Sequence, residues 1–243
     1  MCKFFWGELL GTMTLIILGG GVVANVLLAK SKGENGGWIV IATGWFVAVV
    51  IGVFVAQSAG ALNADINPAV TLAKFMLGYY GFGTVICVWI AQLIGAFMGA
   101  IVVWLAYLPH WRVTENTDYK LLVFCTKPAI RSYGSNVLNE IIGTTMLVFG
   151  VGAIFGKAIV QHPASGMGPY LVGVLVWGIG LSLGGPTGYA INPARDLGPR
   201  LAHAVLPIAG KGDSDWHYAW VPIAGPLIGA IIGGVLWRGD NQP

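Results

Sequence analysis

The sequence Asn192-Pro193-Ala194-Arg195 has an earlier and shorter copy, Asn67-Pro68-Ala69, and this pair of motifs is the most informative feature of the chain. Asn is a favoured N-cap residue and Pro is favoured at the first helical position, so each motif predicts the start of a helix. The segments that follow, Pro68–Leu77 and Pro193–His203, are short. At 1.5 Å per residue, each would cross only about half of the ~30 Å core of a bilayer.

The composition is typical of a membrane protein. Only 9% of the 243 residues are charged, against about a quarter in soluble domains, and 56% are hydrophobic. So few charges do not cover a water-exposed surface, which argues against a soluble enzyme or a disordered chain. The formal net charge of +3 is spread over short loops, so we expect no nucleic-acid partner.

Long charge-free runs predict six membrane-spanning helices, because about 20 apolar residues cross a bilayer as a helix. The predicted spans are Phe4–Ala29, Trp38–Gln57, Phe82–Tyr107, Val137–Val160, Pro169–Gly184 and Tyr218–Trp237. Together they predict an all-α, multi-pass protein surrounded by membrane lipid.

The chain also repeats itself. The segment that begins at Gly7-Glu8 matches the one that begins at Asn139-Glu140, and the Asn-Pro-Ala motif and a Gly-rich segment follow in each half in the same order. We predict a single domain, residues 1–243, built from a first repeat over about residues 1–110 and a second over about residues 136–243. Three spans per half make an inverted repeat, in which sites lie near the midplane. Because irregular backbone at that depth is tolerated only where it lines a cavity, the two broken helices indicate a pore or a binding site.

The chain resembles the aquaporin family of major intrinsic proteins, in its glycerol-facilitator branch. The features that carry the resemblance are the paired motifs, the segment from Asn192 to Arg200 and the Glu in the first and fourth spans. The resemblance covers nearly the whole chain. It implies a right-handed bundle of six helices with two reentrant half-helices, located in the plasma membrane. It also implies a homotetramer with one pore per subunit.

The resemblance assigns roles along the pore. Asn67 and Asn192 would each donate an amide hydrogen to a solute oxygen at the centre. As in the family, the residues before each Asn would present backbone carbonyls as acceptors; they are Asn63, Ala64, Asp65 and Ile66 in the first half and Gly188, Tyr189, Ala190 and Ile191 in the second. Glu8 and Glu140 are costly inside a membrane unless paired. By resemblance they would accept backbone N–H groups from the two loops, with a proton relay as the alternative.

The selectivity filter is placed by the family pattern of spacing. It consists of Val47, Gly180, Tyr189 and Arg195. Gly180 stands where water-selective relatives carry a bulky His, which suggests a wider filter. Val47 departs from the family, where a glycerol channel has Trp or Phe; Trp45 and Phe46 adjoin it, and a shift of two residues would restore the aromatic ring.

Two acidic residues near the motifs complete the predicted site. Asp196 is expected to organise loop backbone rather than to contact solute. Asp65 stands where the family usually has His, two residues before the first Asn. Two roles stay open for it: an acceptor that braces the loop, or a carboxylate that holds water or responds to pH.

These residues predict a passive channel for glycerol and other small neutral solutes, with some water, that excludes ions and protons. The alternatives are a channel that prefers undissociated lactic acid, urea or water, and a coupled secondary transporter. We expect no enzyme, cofactor or metal site, because the four histidines share no spacing typical of a metal or nucleophile site. Cys2, Cys87 and Cys125 are too widely spaced to indicate a disulfide framework.

Overall fold

The computed structural model describes residues 2–156 and 167–240 of the chain, and every regular element in this part is a helix. The ten helices are α1 (Phe5–Leu27), α2 (Trp38–Ser58), α3 (Pro68–Met76), α4 (Phe82–Ala106), α5 (His110–Val113), α6 (Thr117–Leu122), α7 (Tyr133–Phe155), α8 (Met167–Leu183), α9 (Pro193–Val205) and α10 (Val221–Asp240).

Six of these helices coincide with the predicted spans. Five of them (α1, α2, α4, α7 and α10) are long and apolar enough to cross a membrane, and α8 is an apolar helix of 17 residues. Helix α7 begins at Tyr133, four residues before the predicted start of that span at Val137. The predicted end of the same span, Val160, lies outside the described residues.

The two half-helices, α3 and α9, begin as the motifs predict. Asn67 and Asn192 are their N-cap residues, and Pro68 and Pro193 occupy their first turns. The half-helices contact each other, and each packs against the last span of the other half, α3 on α10 and α9 on α4. Within each half the spans pack alike, since α1 contacts α2 and α4 while α7 contacts α8 and α10.

Close approach between the spans requires glycine at equivalent places in both halves. A Cβ atom on Gly99 of α4 would lie 2.6 Å from the carbonyl oxygen of Met13, and one on Gly229 of α10 would lie 2.6 Å from that of Ile141. Small residues of this kind allow helix backbones to pack tightly in lipid, where helix association depends on van der Waals contact.

The connection between the halves, residues 107–132, is packed against the bundle. Trp111 and Phe124 are each only 1% exposed, and their rings lie 5.7 Å apart. This segment therefore contributes to the interior of the molecule.

The expectation of no disulfide was wrong. Cys2 and Cys87 form one, with their Cα atoms 6.3 Å apart, and it ties the beginning of the chain to the second turn of α4. The two residues are 85 positions apart, so local spacing carries no signal of their pairing. Cys125 is buried and does not take part in a disulfide.

Candidate pore and its constriction

The two half-helices meet through their capping residues. The amide oxygen of Asn67 accepts a hydrogen bond from the backbone N–H of Ala69 at 2.9 Å, and its amide nitrogen donates to the carbonyl of Ile191 at 2.8 Å. Asn192 does the same in the other half, donating to the carbonyl of Ile66 at 2.9 Å.

This arrangement fixes which way each amide faces. Because the oxygen is held by the helix N-terminus, the nitrogen of each amide must face the opposite loop. An amide nitrogen carries two hydrogens, and the bond to the opposite loop uses one of them. Asn67 and Asn192 both line the central cavity, so the second hydrogen of each is available to a solute oxygen there.

The loops before the motifs are held in place by two buried carboxylates. Glu8 accepts from the N–H groups of Asp65 at 2.7 Å and Ile66 at 2.8 Å. In the second half, Glu140 accepts from Ala190 at 3.0 Å and from the next residue at 2.8 Å. Both glutamates are 1% exposed and lie behind the loops, outside the cavity lining.

The same loops alternate into the left-handed region of backbone conformation. Ala64, Ile66, Tyr189 and Ile191 have φ between 38° and 44°, although none of them is glycine. Such a conformation costs about 1–2 kcal/mol per non-glycine residue. The hydrogen bonds from the loop N–H groups to the two glutamates offset that cost.

The cavity has a volume of about 110 Å³ and is lined by two chemically different groups of residues. One group is the two loops from Asn63 to Asn67 and from Gly188 to Asn192, which contain the amides and backbone carbonyls. The other group is apolar and belongs to four spans: Leu15, Val49, Val53, Leu147, Val151, Val172 and Val176. A polyol has the matching pattern, with hydroxyls along one edge and carbon along the other.

Arg195 narrows the cavity beyond the second motif. Its guanidinium donates to the carbonyl of Phe124 at 3.2 Å and lies 4.3 Å from the centroid of the Trp45 ring. Arg195 and Trp45 are 7% and 6% exposed, and both line the cavity. A cation–π contact in a desolvated site holds the charged group against the ring.

The structure does not place Val47 at this constriction. Its side chain is 43% exposed on the outer face of α2 and is absent from the cavity lining, whereas Trp45 lines the cavity. Two residues correspond to a rotation of about 200° around a helix, so the two side chains lie on opposite faces of α2. The structure therefore places Trp45, and not Val47, in the lining of the cavity.

Gly180 and Tyr189 form one unit. A Cβ atom at position 180 would lie 2.7 Å from Cζ and 2.9 Å from the hydroxyl of Tyr189. Trp38 completes the slot around the tyrosine, since its indole donates to the carbonyl of Gly180 at 2.9 Å and its ring packs edge-on against that of Tyr189. Gly180 thus makes room for the tyrosine ring, and the space that a larger side chain would need is already filled.

Asp196 is held by the connection between the halves and by Arg200. The carboxylate is fully buried and accepts from the backbone N–H and the hydroxyl of Thr126, both at 2.7 Å. Arg200 donates to it at 2.8 Å and continues to the carbonyl of Ser214 at 2.8 Å. The pair joins α9 to the connection and to the loop before α10, and neither member lines the cavity.

A second ion pair links the connection between the halves to the loop before α10. Arg131 donates to both carboxylate oxygens of Asp215, at 2.9 Å and 2.5 Å. These hydrogen bonds raise the pKa of the Arg131 guanidinium above its already high ordinary value. The guanidinium therefore stays charged at every accessible pH.

Comparison with known proteins agrees with this geometry. A sequence profile of the family described as Major intrinsic protein matches residues 1–237. The chain belongs to the major intrinsic protein family. It is 58% identical, over 96% of its length and 97% of the relative's, to a probable glycerol uptake facilitator protein of Thermotoga maritima. It is 53% identical, over 96% of its length and 94% of the relative's, to glycerol uptake facilitator protein 3 of Lactiplantibacillus plantarum.

Among solved structures, the chain is similar to the aquaglyceroporin from Plasmodium falciparum. The TM-score is 0.83 and the sequence identity 28%, with 97% of this chain and 94% of the other covered. This similarity confirms the predicted aquaporin-like fold of this major intrinsic protein.

Two residues of the site were missed by sequence reasoning. Lys74 lines the cavity and donates to the carboxylate of Asp65, and Thr126 holds Asp196 from the connection. Lys74 could have been recognised from the sequence as a candidate site residue. It is a cation within a short half-helix, and a charge inside a membrane is rare without a partner. Thr126 had no such signal, since its role depends on how the connection folds back. Among the described residues no cluster of His, Cys, Asp and Glu could hold a metal ion.

Proposed function

We propose that this major intrinsic protein is a passive channel for glycerol and other small neutral solutes, with some water. One observation carries the proposal: the lining of the cavity combines the amide donors of Asn67 and Asn192 and the two loops with apolar side chains of four spans. A polyol that sheds its hydration would exchange hydrogen bonds with one side and bury its carbon edge on the other. The protein is a plasma-membrane channel and not an enzyme.

The filter in this proposal consists of Trp45, Gly180, Tyr189 and Arg195. The two aromatic rings provide an apolar corner for the carbon atoms, and the guanidinium provides donors for the hydroxyls. The motifs Asn67-Pro68-Ala69 and Asn192-Pro193-Ala194 form the centre of the pore.

Ions and protons are excluded by positive charge in this proposal. The N-termini of α3 and α9 both point to the centre, where each half-helix places a partial positive charge worth up to about 1 kcal/mol against a cation. Arg195 adds a full charge at the filter. A coupled transporter would need a cation-binding group at the same depth, whereas Glu8 and Glu140 are occupied by backbone N–H groups.

We further propose that one domain of two repeats, over about residues 1–110 and 136–243, forms each pore, and that four copies assemble in the membrane. Family membership supports the tetramer, as do the large apolar side chains on the outer helix faces, such as Ile39 (69% exposed) and Trp6 (57% exposed). Such side chains would be covered by lipid or by neighbouring subunits.

The function is tested by stopped-flow light scattering on proteoliposomes that contain the purified protein. Parallel runs use glycerol, water, urea and lactic acid at low pH, with empty liposomes as the control. We expect glycerol flux well above the control, linear in concentration and unchanged by a proton gradient. Saturable or gradient-driven flux would favour a coupled transporter, and lactic acid or urea moving faster than glycerol would identify another solute.

A further inference from the structure

Asp65 and Lys74 form an ion pair in the wall of the pore, at one end of the cavity. We call this end the N-terminal mouth. It is lined by Gln57, Asn63, Asp65 and Lys74 and lies on the side where α1 begins. Lys74 lies in the last turns of α3. Its ammonium donates to the carboxylate of Asp65 at 2.5 Å and to the backbone carbonyl of Asn63 at 2.9 Å. The side chain of Asp65 is fully buried, and that of Lys74 is 12% exposed.

The carboxylate of Asp65 is locked from its other side. Its second oxygen accepts from the hydroxyl of Thr71 at 2.8 Å. The amide nitrogen of Gln92 donates to that hydroxyl at 3.1 Å and to Glu8 at 2.9 Å. The network therefore ends on the same glutamate that holds the first loop. Lys74 is thus paired with an immobile charge, and the mouth carries no net charge from the pair.

The hydrogen-bonding capacity of the mouth is not exhausted by this network. An ammonium carries three hydrogens, and the bonds to Asp65 and Asn63 use two of them. Since Lys74 lines the cavity, the third is left for that space. Gln57 lines the same mouth and uses its amide nitrogen on the carbonyl of Leu62 at 3.4 Å, which leaves its side-chain oxygen as an acceptor.

The second half of the protein has no counterpart of this pair. In the repeat, Asp65 and Lys74 correspond to Ala190 and Pro199, which cannot form one. The ion pair of that half, Asp196 with Arg200, faces the loops and is absent from the cavity lining. Bracing a half-helix therefore does not require a charged pair in the pore wall. The position of the pair of Asp65 and Lys74 at the mouth indicates a role in contact with solute.

We propose that Lys74 is a solute-binding residue at the N-terminal mouth of the pore. Its remaining N–H donates to a hydroxyl of a polyol as the polyol sheds water, and the side-chain oxygen of Gln57 accepts from a neighbouring hydroxyl. Asp65 cancels the charge of the ammonium, so the site selects a neutral polyol over a carboxylate anion. This inference rests on the proposed glycerol channel and adds a selective site outside its filter.

The test compares glycerol and water permeability in proteoliposomes for Lys74→Met, Lys74→Arg and the double variant Asp65→Asn with Lys74→Met. We expect both Met-containing variants to lose glycerol permeability about tenfold while water permeability stays within about twofold, because one charge-assisted hydrogen bond is lost. Lys74→Arg, which keeps the donor, should stay close to the wild type. Lys32→Met, the same change at an exposed loop lysine, is the matched control.

Two results would overturn the inference. Glycerol permeability restored in the double variant would mean that Lys74 acts only by neutralising Asp65. Glycerol and water permeability falling in parallel would mean that the pair only braces the loop. Failure of the channel proposal itself is separate, since it would appear as wild-type glycerol flux no higher than that of empty liposomes.

Discussion

The position of Tyr189 changes the interpretation of Gly180. Gly180 had suggested an opening, because water-selective relatives carry a large side chain at that position. In the folded chain the tyrosine ring lies against that glycine, and Trp38 and Arg195 border the same region. The ring of Tyr189 therefore occupies the space that the glycine had suggested would be open.

This arrangement predicts the effect of Gly180→Ala. A methyl group 2.7 Å from the ring would push Tyr189 toward the cavity, so we expect glycerol permeability to fall at least fivefold, with a smaller loss for water. The double variant with Tyr189→Leu removes the ring that is displaced, and it should recover most of the glycerol permeability. Both are measured by stopped-flow light scattering. Equal losses in the single and double variants would show that the ring does not transmit the effect.

At the scale of the helices, the half-helices depend on each other. Each capping Asn donates to the carbonyl that precedes the opposite Asn, so neither junction forms without its counterpart. Close packing of the spans sets this geometry, since α3 rests on α10 and α9 on α4. A small change in the distance between spans would therefore reach the centre of the pore.

The glycines in the spans test this dependence. Gly99→Val would place its side chain against the carbonyl of Met13 and against Ile16 of α1, and we expect a loss of about 2–4 kcal/mol in stability because the core would be overpacked. The measurement is the thermal unfolding temperature in detergent. Gly83→Val in the first turn of the same helix meets no atom within 4 Å and serves as the matched control. Equal shifts in the two variants would attribute the loss to helix propensity alone.

At the scale of the whole molecule, the inverted repeat builds a nearly symmetric frame around an asymmetric pore. Glu8 and Glu140 hold the two loops in the same way, but the second half places Arg195 in the cavity lining and the first half places the pair of Asp65 and Lys74 there. A solute therefore meets different chemistry at the two ends of the cavity.

The proposed tetramer is a prediction at this scale. Native mass spectrometry of the protein released from detergent should give an assembly of four chains of 25.6 kDa each. Each subunit contains a complete cavity, so glycerol permeability should scale with the number of chains and show no cooperativity. A fully active preparation consisting only of monomers would contradict the tetramer and leave the pore within each chain unaffected.

The membrane class, the six spans, the inverted repeat and the two half-helices could all be predicted from the sequence. These features depend on local information: the scarcity of charge, the length of apolar runs, and the capping preferences of Asn and Pro. The central residues followed from them, because Asn67, Asn192, Glu8 and Glu140 lie at equivalent places in the two repeats.

The contacts between distant side chains could not be predicted from the sequence and are visible only in the folded chain. The rotation of α2 brought Trp45 rather than Val47 to the cavity, and the slot beside Gly180 received the ring of Tyr189. Lys74 reached Asp65, and Cys2 reached Cys87 across 85 residues. Each of these contacts depends on how a helix is turned and on what lies opposite it. Local preferences do not contain that information, since it arises only when distant segments pack against each other.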